Sequence, residues 1–143
     1  MIAVEVNLNG KRLCVAGAED LGVLSVALNV TGSLGPKTVE GTPLGGQVAP
    51  DVQPVEPHLY IGGLTSRGSG VSDDHLRWRD DVSVSIGDVL TIRFLEVEPG
   101  AADAPDAIKD SGESVVDASE RRMFELAKET YLNLRDKYED SDI

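Results

Sequence analysis

The sequence predicts an α+β fold that is mainly antiparallel β, with one α-helix at its C-terminal end. Alternating segments on either side of Asn9-Gly10 predict one β-hairpin, and a similar pattern around Gly87-Asp88 predicts another. A third pattern, apolar residues at steps of three and four after residue 117, predicts the helix. About six short strands separated by turns favour a small barrel or a sandwich, and both architectures remain open.

The first hairpin begins at residue 2. Apolar residues occupy every second position of residues 2–8, as in a strand with one buried face. Asn9-Gly10 favours a type I′ turn, because both of its central residues need a positive φ angle. A two-residue turn pairs Val6 with Leu13, which brings the apolar faces of the two strands together.

The next segments predict a strand, a long loop and another strand. Residues 21–30 are apolar at nearly every position, which favours a strand buried on both faces. A helix is the alternative there, but Gly22 and the β-branched residues argue against it. Residues 32–57 contain five of the seven prolines and predict an irregular loop, of a length that is usually functional or disordered. Residues 58–64 predict a short strand.

A second hairpin is predicted after a Gly/Ser loop at residues 65–74. A strand around Trp78 follows this loop. Residues 82–86 then alternate, Gly87-Asp88 provides the turn, and residues 90–94 return with the same alternation.

The rest of the chain divides into a linker and a helix, after a β-rich domain over residues 1–97. Residues 98–116 are rich in Pro, Ala, Gly and Asp, which predicts an acidic flexible linker. Residues 117–143 predict an amphipathic acidic helix, with Asp117 as its N-cap and Glu120 three residues later. One face of this helix is apolar, and its members are Phe124, Ala127, Tyr131, Leu134 and Tyr138.

Composition restricts the classes of function. The chain has 143 residues and a formal net charge of −12, and residues 96–143 hold 14 of its 25 acidic residues. This charge repels phosphate backbones and anionic membranes, so we expect neither nucleic acid nor a membrane as a partner. It attracts a protein partner with a basic surface. No run of about 18 apolar residues and no signal-peptide pattern is present, which predicts a cytoplasmic protein.

No pattern of catalytic or metal-binding residues emerges. Cys14 is the only cysteine, and His58 and His75 are the only histidines, so the ligand spacing of a zinc site is not formed. The nucleophile elbow, the dinucleotide-binding motif and the P-loop are absent from the sequence. We therefore expect no metal and no cofactor, and the patterns favour a protein without enzymatic activity.

Two segments resemble known families. Residues 84–97, VSIGDVLTIRFLEV, resemble the middle hairpin of S1-type OB-fold domains, in which a Gly-Asp turn precedes an alternating strand. The block from HLRW to IGDVLTIRFLEVE, followed by the Pro/Asp-rich end, resembles small acidic bacterial proteins, among them immunity proteins of toxin systems. The second resemblance implies a non-catalytic bacterial protein that binds a basic partner.

Three hypotheses of function follow. The first is a non-enzymatic protein-interaction module, an immunity or regulatory protein, that contacts its partner through the helix face at Phe124, Tyr131, Leu134 and Tyr138. The second is a small-ligand-binding or enzyme domain that uses loops 32–57 and 65–74. Its pocket would contain Asp74, His75 and Arg77.

The third hypothesis is a structural subunit that forms homo-oligomers through the helix. All three depend on where the apolar helix face lies. The general rule that such faces pack internally predicts that this face lies on its own β-domain. Contact with a partner or with a second copy is the alternative.

Overall fold

The computed structural model describes residues 1–38 and 53–139, and within them seven strands and one helix are found. The predicted α+β class, mainly antiparallel β with a C-terminal helix, is confirmed. The elements are β1 (Ile2–Leu8), β2 (Lys11–Ala16), β3 (Leu21–Thr31), β4 (Glu56–Thr65), β5 (Asp74–Trp78), β6 (Leu90–Glu96), β7 (Ala107–Asp110) and α1 (Val115–Tyr138).

The strands form two antiparallel sheets that pack face to face as a sandwich. The strand order is β2-β1-β6 in one sheet and β3-β4-β5-β7 in the other. The described strands do not close into a barrel, so the sandwich is the alternative that fits. Both sheets contribute to one buried core, which consists of Val6, Cys14, Ala16, Ile61, Leu76 and Trp78.

The first hairpin is confirmed in its turn and corrected in its register. Asn9 and Gly10 have φ angles of 52° and 79°, as a type I′ turn requires. A bulge between Val6 and Asn7 then shifts the pairing, so that Val6 lies opposite Cys14 and not opposite Leu13. A bulge places two residues of one strand against one of the other. It therefore directs the Cys14 side chain into the core.

The predicted second hairpin is wrong. Residues 81–89 contain no strand, and β6 pairs along its whole length with β1, from Ile2 opposite Glu96 to Leu8 opposite Leu90. The Gly87-Asp88 turn is real, but it is held to the first hairpin: Asn9 Nδ2 donates to Asp88 Oδ1 at 2.9 Å. A long-range partner for β6 thus replaces the local one.

The second sheet differs from the prediction at β3. This strand lies at the edge of its sheet, and Val23, Leu28 and Val30 are exposed, so it is not buried on both faces. Its neighbour β4 begins at Glu56, two residues before the predicted strand. Residues 39–52, which form most of the predicted long loop, lie outside the described residues.

The predicted linker contains ordered structure. Within residues 98–116, β7 pairs with β5 and places Ile108 opposite Leu76. The helix begins at Val115, and its N-cap is Ser114 and not Asp117. In the part of the chain that is described, no helix combines the length and the apolar character needed to cross a membrane.

Candidate functional site

The start of α1 is attached to the sandwich through the buried carboxylate of Asp73, which is 0% exposed. Asp73 Oδ1 accepts hydrogen bonds from the Thr65 hydroxyl at 2.9 Å and from the Arg67 N–H at 2.8 Å. Asp73 Oδ2 accepts from the Val115 N–H at 2.7 Å. This N–H is the first of the helix and has no acceptor within it. One carboxylate therefore joins the end of β4, the loop that follows and α1.

The same hydrogen bonds lower the pKa of Asp73. The Val115 N–H makes the largest contribution, and the Arg67 N–H and the Thr65 hydroxyl act in the same direction, whereas burial opposes them. Donors that point at a carboxylate stabilise its charged form. Asp73 is therefore ionised in the folded protein at neutral pH.

A second carboxylate strengthens the attachment from the helix side. Asp117, in the first turn of α1, accepts hydrogen bonds from the Ser69 hydroxyl at 2.6 Å and from the Gly70 N–H at 2.8 Å. The Ser69 hydroxyl is the main cause of the lowered pKa of Asp117. In addition, the Ser114 hydroxyl donates to the Gly68 carbonyl at 2.8 Å. The loop between β4 and β5, residues 66–73, thus binds the start of α1 at several points.

Protonation of Asp73 is expected to destabilise this attachment. Its pKa in the folded protein lies below the ordinary value of 3.8. Its contribution to the free energy of unfolding is therefore complete above that value and is lost as the pH falls through the folded pKa. We expect the melting temperature of the native chain to fall below about pH 4 more steeply than that of Asp73→Asn.

The comparison with Asp73→Asn is needed because other aspartates contribute to acid sensitivity. The pKa values of Asp88, Asp110 and Asp117 are also lowered, each mainly by a side-chain hydrogen bond. Melting temperatures of both chains at intervals from about pH 6 to about pH 2 separate the effect of Asp73 from theirs. Parallel curves for the two chains would show that Asp73 does not contribute.

Beyond its first turn, α1 is exposed to solvent. Every residue from 119 to 139 is exposed, and no residue of the helix is buried. The predicted contact residues are among them: Phe124 is 64% exposed, Tyr131 58%, Leu134 46% and Tyr138 58%. Within residues 1–38 and 53–139, α1 does not lie along any strand. The prediction that its apolar face packs on its own β-domain is therefore wrong for the described part.

The structure does not bring Asp74, His75 and Arg77 together. Asp74 and His75 are consecutive in β5, so their side chains lie on opposite faces of the sheet. Asp74 forms an ion pair with Arg67, with 3.0 Å between Oδ2 and Nη1. The Arg77 guanidinium lies over the Tyr60 ring, 5.1 Å from its centroid, and His75 is exposed. Asp74 therefore lies on the opposite face of the sheet from His75 and Arg77.

A small polar cavity of about 290 Å³ lies beside Cys14 and Trp78. Burial, followed by the charge of Asp103, raises the pKa of the Cys14 thiol to about 11. A thiol with such a pKa is protonated at neutral pH and is a poor nucleophile. The Arg79 Nε donates to the Leu13 carbonyl at 2.8 Å, so its guanidinium connects the two sheets. The Cys14 thiol therefore does not supply this cavity with a thiolate nucleophile at neutral pH.

Metal binding and similarity to known proteins add no further site. Among the described residues, no three His, Cys, Asp or Glu side chains are grouped in a way that suits a metal ion. The chain matches no protein-family model, no curated protein and no solved structure. The candidate site is therefore defined by geometry alone: the exposed face of α1 and its attachment through Asp73.

The sequence did not indicate the role of Asp73. Asp73 precedes Asp74 and His75 in the sequence, and acids next to a histidine resemble a metal-ligand set although the spacing of a metal site is missing. The first of them proved to bind the helix start, which lies 42 residues away in the chain. Ser114 was a signal for the true helix start, because serine is a preferred N-cap residue and lies about one turn before Asp117.

Proposed function

We propose that this protein is a non-enzymatic interaction module that presents α1 to a partner protein. The observation that carries the proposal is the exposed helix face: Phe124, Tyr131 and Leu134 lie on one side of a helix that is exposed from residue 119 onward. In proteins, most of the stability of a helix comes from packing its apolar face. A partner that covers this face would supply that packing.

The attachment of α1 supports the same proposal. The hydrogen bonds to Asp73 and Asp117 fix the first turn relative to the sandwich. A binding surface that is already oriented loses less conformational entropy when its partner arrives. Aromatic side chains such as Phe124 and Tyr131 are also enriched where interfaces gain most of their affinity.

The charge of the chain bears on the type of partner. A formal net charge of −12 attracts proteins with a basic surface over long distances. The resemblance of residues 75–98 to acidic immunity proteins of bacteria points in the same direction. We therefore include a bacterial cytoplasmic protein that neutralises or regulates a basic partner in the proposal.

Truncation of two side chains in the apolar face is expected to weaken partner binding. In Tyr131→Ala with Leu134→Ala, we expect at least about a tenfold loss of affinity, because truncation of central aromatic residues commonly has such an effect. The measurement is retention of a stoichiometric partner from native lysate on the immobilised chain. Melting temperature shows whether the variant remains folded, which we expect because both residues are exposed.

The matched control is Glu129→Ala, which changes the opposite side of the same helix. It is expected to retain the partner like the native chain does. The proposal would be contradicted if the native chain retained no stoichiometric partner and did not self-associate. It would also be contradicted if the double variant bound as well as the control.

Self-association through α1 is the second candidate. It is supported by the same exposed face, since two amphipathic helices can cover each other. Light scattering on the native chain and on Tyr131→Ala distinguishes it from binding to another protein. A dimer that the substitution dissociates would favour self-association.

A further inference from the structure

Three basic side chains form a row along one edge of the apolar face of α1. Arg121, Lys128 and Arg135 recur every seven residues, and two helical turns separate each from the next. Lys128 follows Phe124 by four residues and therefore lies beside it on the helix surface. All three residues are exposed, and the side chains of Arg121 and Arg135 are 68% and 44% exposed. We call these three residues the basic row.

The other edge of the apolar face and the side turned away from it differ from the basic row. The other edge of the apolar face carries Met123, Thr130 and Lys137, and of these three residues only Lys137 is charged. Glu125, Glu129 and Asp136 lie on the side that is turned away from the apolar face, as their positions relative to Tyr131 require. Between residues 121 and 137, a partner that covers the apolar face therefore meets the basic row along one edge and Met123, Thr130 and Lys137, none of them acidic, along the other.

The ion pairs that the basic row forms within the chain do not prevent this contact. Arg121 Nη2 is 3.0 Å from Glu113 Oε2, and Arg135 Nη2 is 3.1 Å from Oδ1 of its neighbour Asp136. Both pairs are exposed, and exposed ion pairs contribute little to stability. Exchange for an acid of the partner is therefore inexpensive in free energy.

A second copy of the chain does not match this surface. If two α1 helices packed antiparallel, equal edges would meet and the two basic rows would face each other. If they packed parallel, each basic row would face Met123, Thr130 and Lys137 of the other copy, and its cations would gain no acid. Neither arrangement provides charge complementarity.

We infer that the partner segment that covers α1 is an amphipathic helix of another protein, with Asp or Glu along one edge of its own apolar face. Acids at seven-residue steps, about 10.5 Å apart along the helix, would match the spacing of the basic row. This inference rests on the proposed function and specifies the chemistry of the contact. The net negative charge of the chain attracts the basic surface of the partner as a whole at long range. The acids of the partner helix act on the basic row only within the interface, at distances of a few ångströms.

The experiment uses two synthetic helical peptides that share one apolar face. One carries Glu along both edges of that face and the other carries Lys. We expect the full chain to bind the Glu peptide about fivefold to tenfold more tightly than the Lys peptide, by fluorescence anisotropy, with a smaller difference at high salt. In Lys128→Glu with Arg135→Glu this preference is expected to reverse.

The control is Arg122→Glu, which reverses one charge on the side away from the apolar face, where the double variant reverses two in the basic row. It is expected to leave the preference for the Glu peptide unchanged. A preference for the Lys peptide, or equal binding of both, would overturn the inference, while a loss of binding in Tyr131→Ala would still support the proposed function. If neither peptide bound and light scattering showed a dimer that Tyr131→Ala dissociates, a second copy would be the occupant. If neither peptide bound and the chain were monomeric, the inference would also be overturned, and partner retention would decide the proposed function.

Discussion

Replacement of Trp78 by alanine is expected to lower the free energy of unfolding by about 3–5 kcal/mol. The Trp78 side chain is 1% exposed and lies in the core that both sheets share. Its Nε1 donates a hydrogen bond to the Asp103 carbonyl at 2.8 Å, so the indole also holds the segment before β7. Alanine removes the ring, leaves a cavity and breaks this bond. Chemical denaturation followed by far-ultraviolet circular dichroism measures the loss.

Two further variants separate the contributions. Trp78→Phe keeps most of the apolar volume but loses the hydrogen bond to Asp103, and we expect a smaller loss of about 1–2 kcal/mol. Leu132→Ala, on the exposed part of α1, is the control and is expected to change stability by less than about 1 kcal/mol. If Trp78→Ala unfolded at the same denaturant concentration as the native chain, the sandwich core described above would be incorrect.

Replacement of Asp73 by asparagine is expected to lower the melting temperature by several degrees and to release the start of α1. The amide has one acceptor oxygen where the carboxylate has two, so the Thr65 hydroxyl, the Arg67 N–H and the Val115 N–H cannot all remain bonded. A buried donor without an acceptor is destabilising. Hydrogen exchange measured by mass spectrometry is expected to become faster in the peptide that contains Val115.

The control for this variant is Asp80→Asn. Asp80 is an exposed aspartate whose carboxylate pairs with Arg77 near the end of β5. Its substitution removes the same charge and is expected to leave exchange at Val115 unchanged. Equal exchange at Val115 in the native chain and in Asp73→Asn would mean that the attachment of α1 does not depend on the carboxylate.

The sequence was sufficient to predict structural features that depend only on residues close together in the chain. Asn9-Gly10 predicted its turn correctly, because the positive φ angles of that turn are a local requirement. The apolar face of α1 was also visible as a period in the sequence. The bulge at Val6 was not predicted, since alternation continues through it in the sequence and the shift arises from packing in the core.

Features that depend on distant residues were missed. Residues 82–86 have the alternation of a strand, but β6 gains a partner of full length in β1 and needs no local one. β7 was hidden in a composition typical of linkers, because only its pairing with β5 makes it a strand. For the same reason, the bond between Asp73 and Val115 could not be inferred from residue types.

The sequence predicted which residues form the apolar face of α1, but it did not predict that this face is exposed. Phe124, Tyr131 and Leu134 were expected to form one face, but periodicity does not tell whether such a face is covered by its own domain. In the structure, residues 66–73 hold the helix start at Ser114, and beyond its first turn the helix is exposed and does not lie along a strand. Among the described residues, Asp74 and His75 do not converge, because consecutive strand residues point in opposite directions.

The length of α1 has a practical consequence for detecting whatever binds it. A helix of 24 residues spans about 36 Å, so a fluorophore attached near its far end would lie at roughly that distance from the first turn. A donor dye on the sandwich and an acceptor dye on that end would therefore report bending of α1, or its release from the sandwich, as a change in energy transfer. A partner that covers α1 without bending it would leave the distance between the two dyes unchanged and would slow the rotation of the acceptor dye.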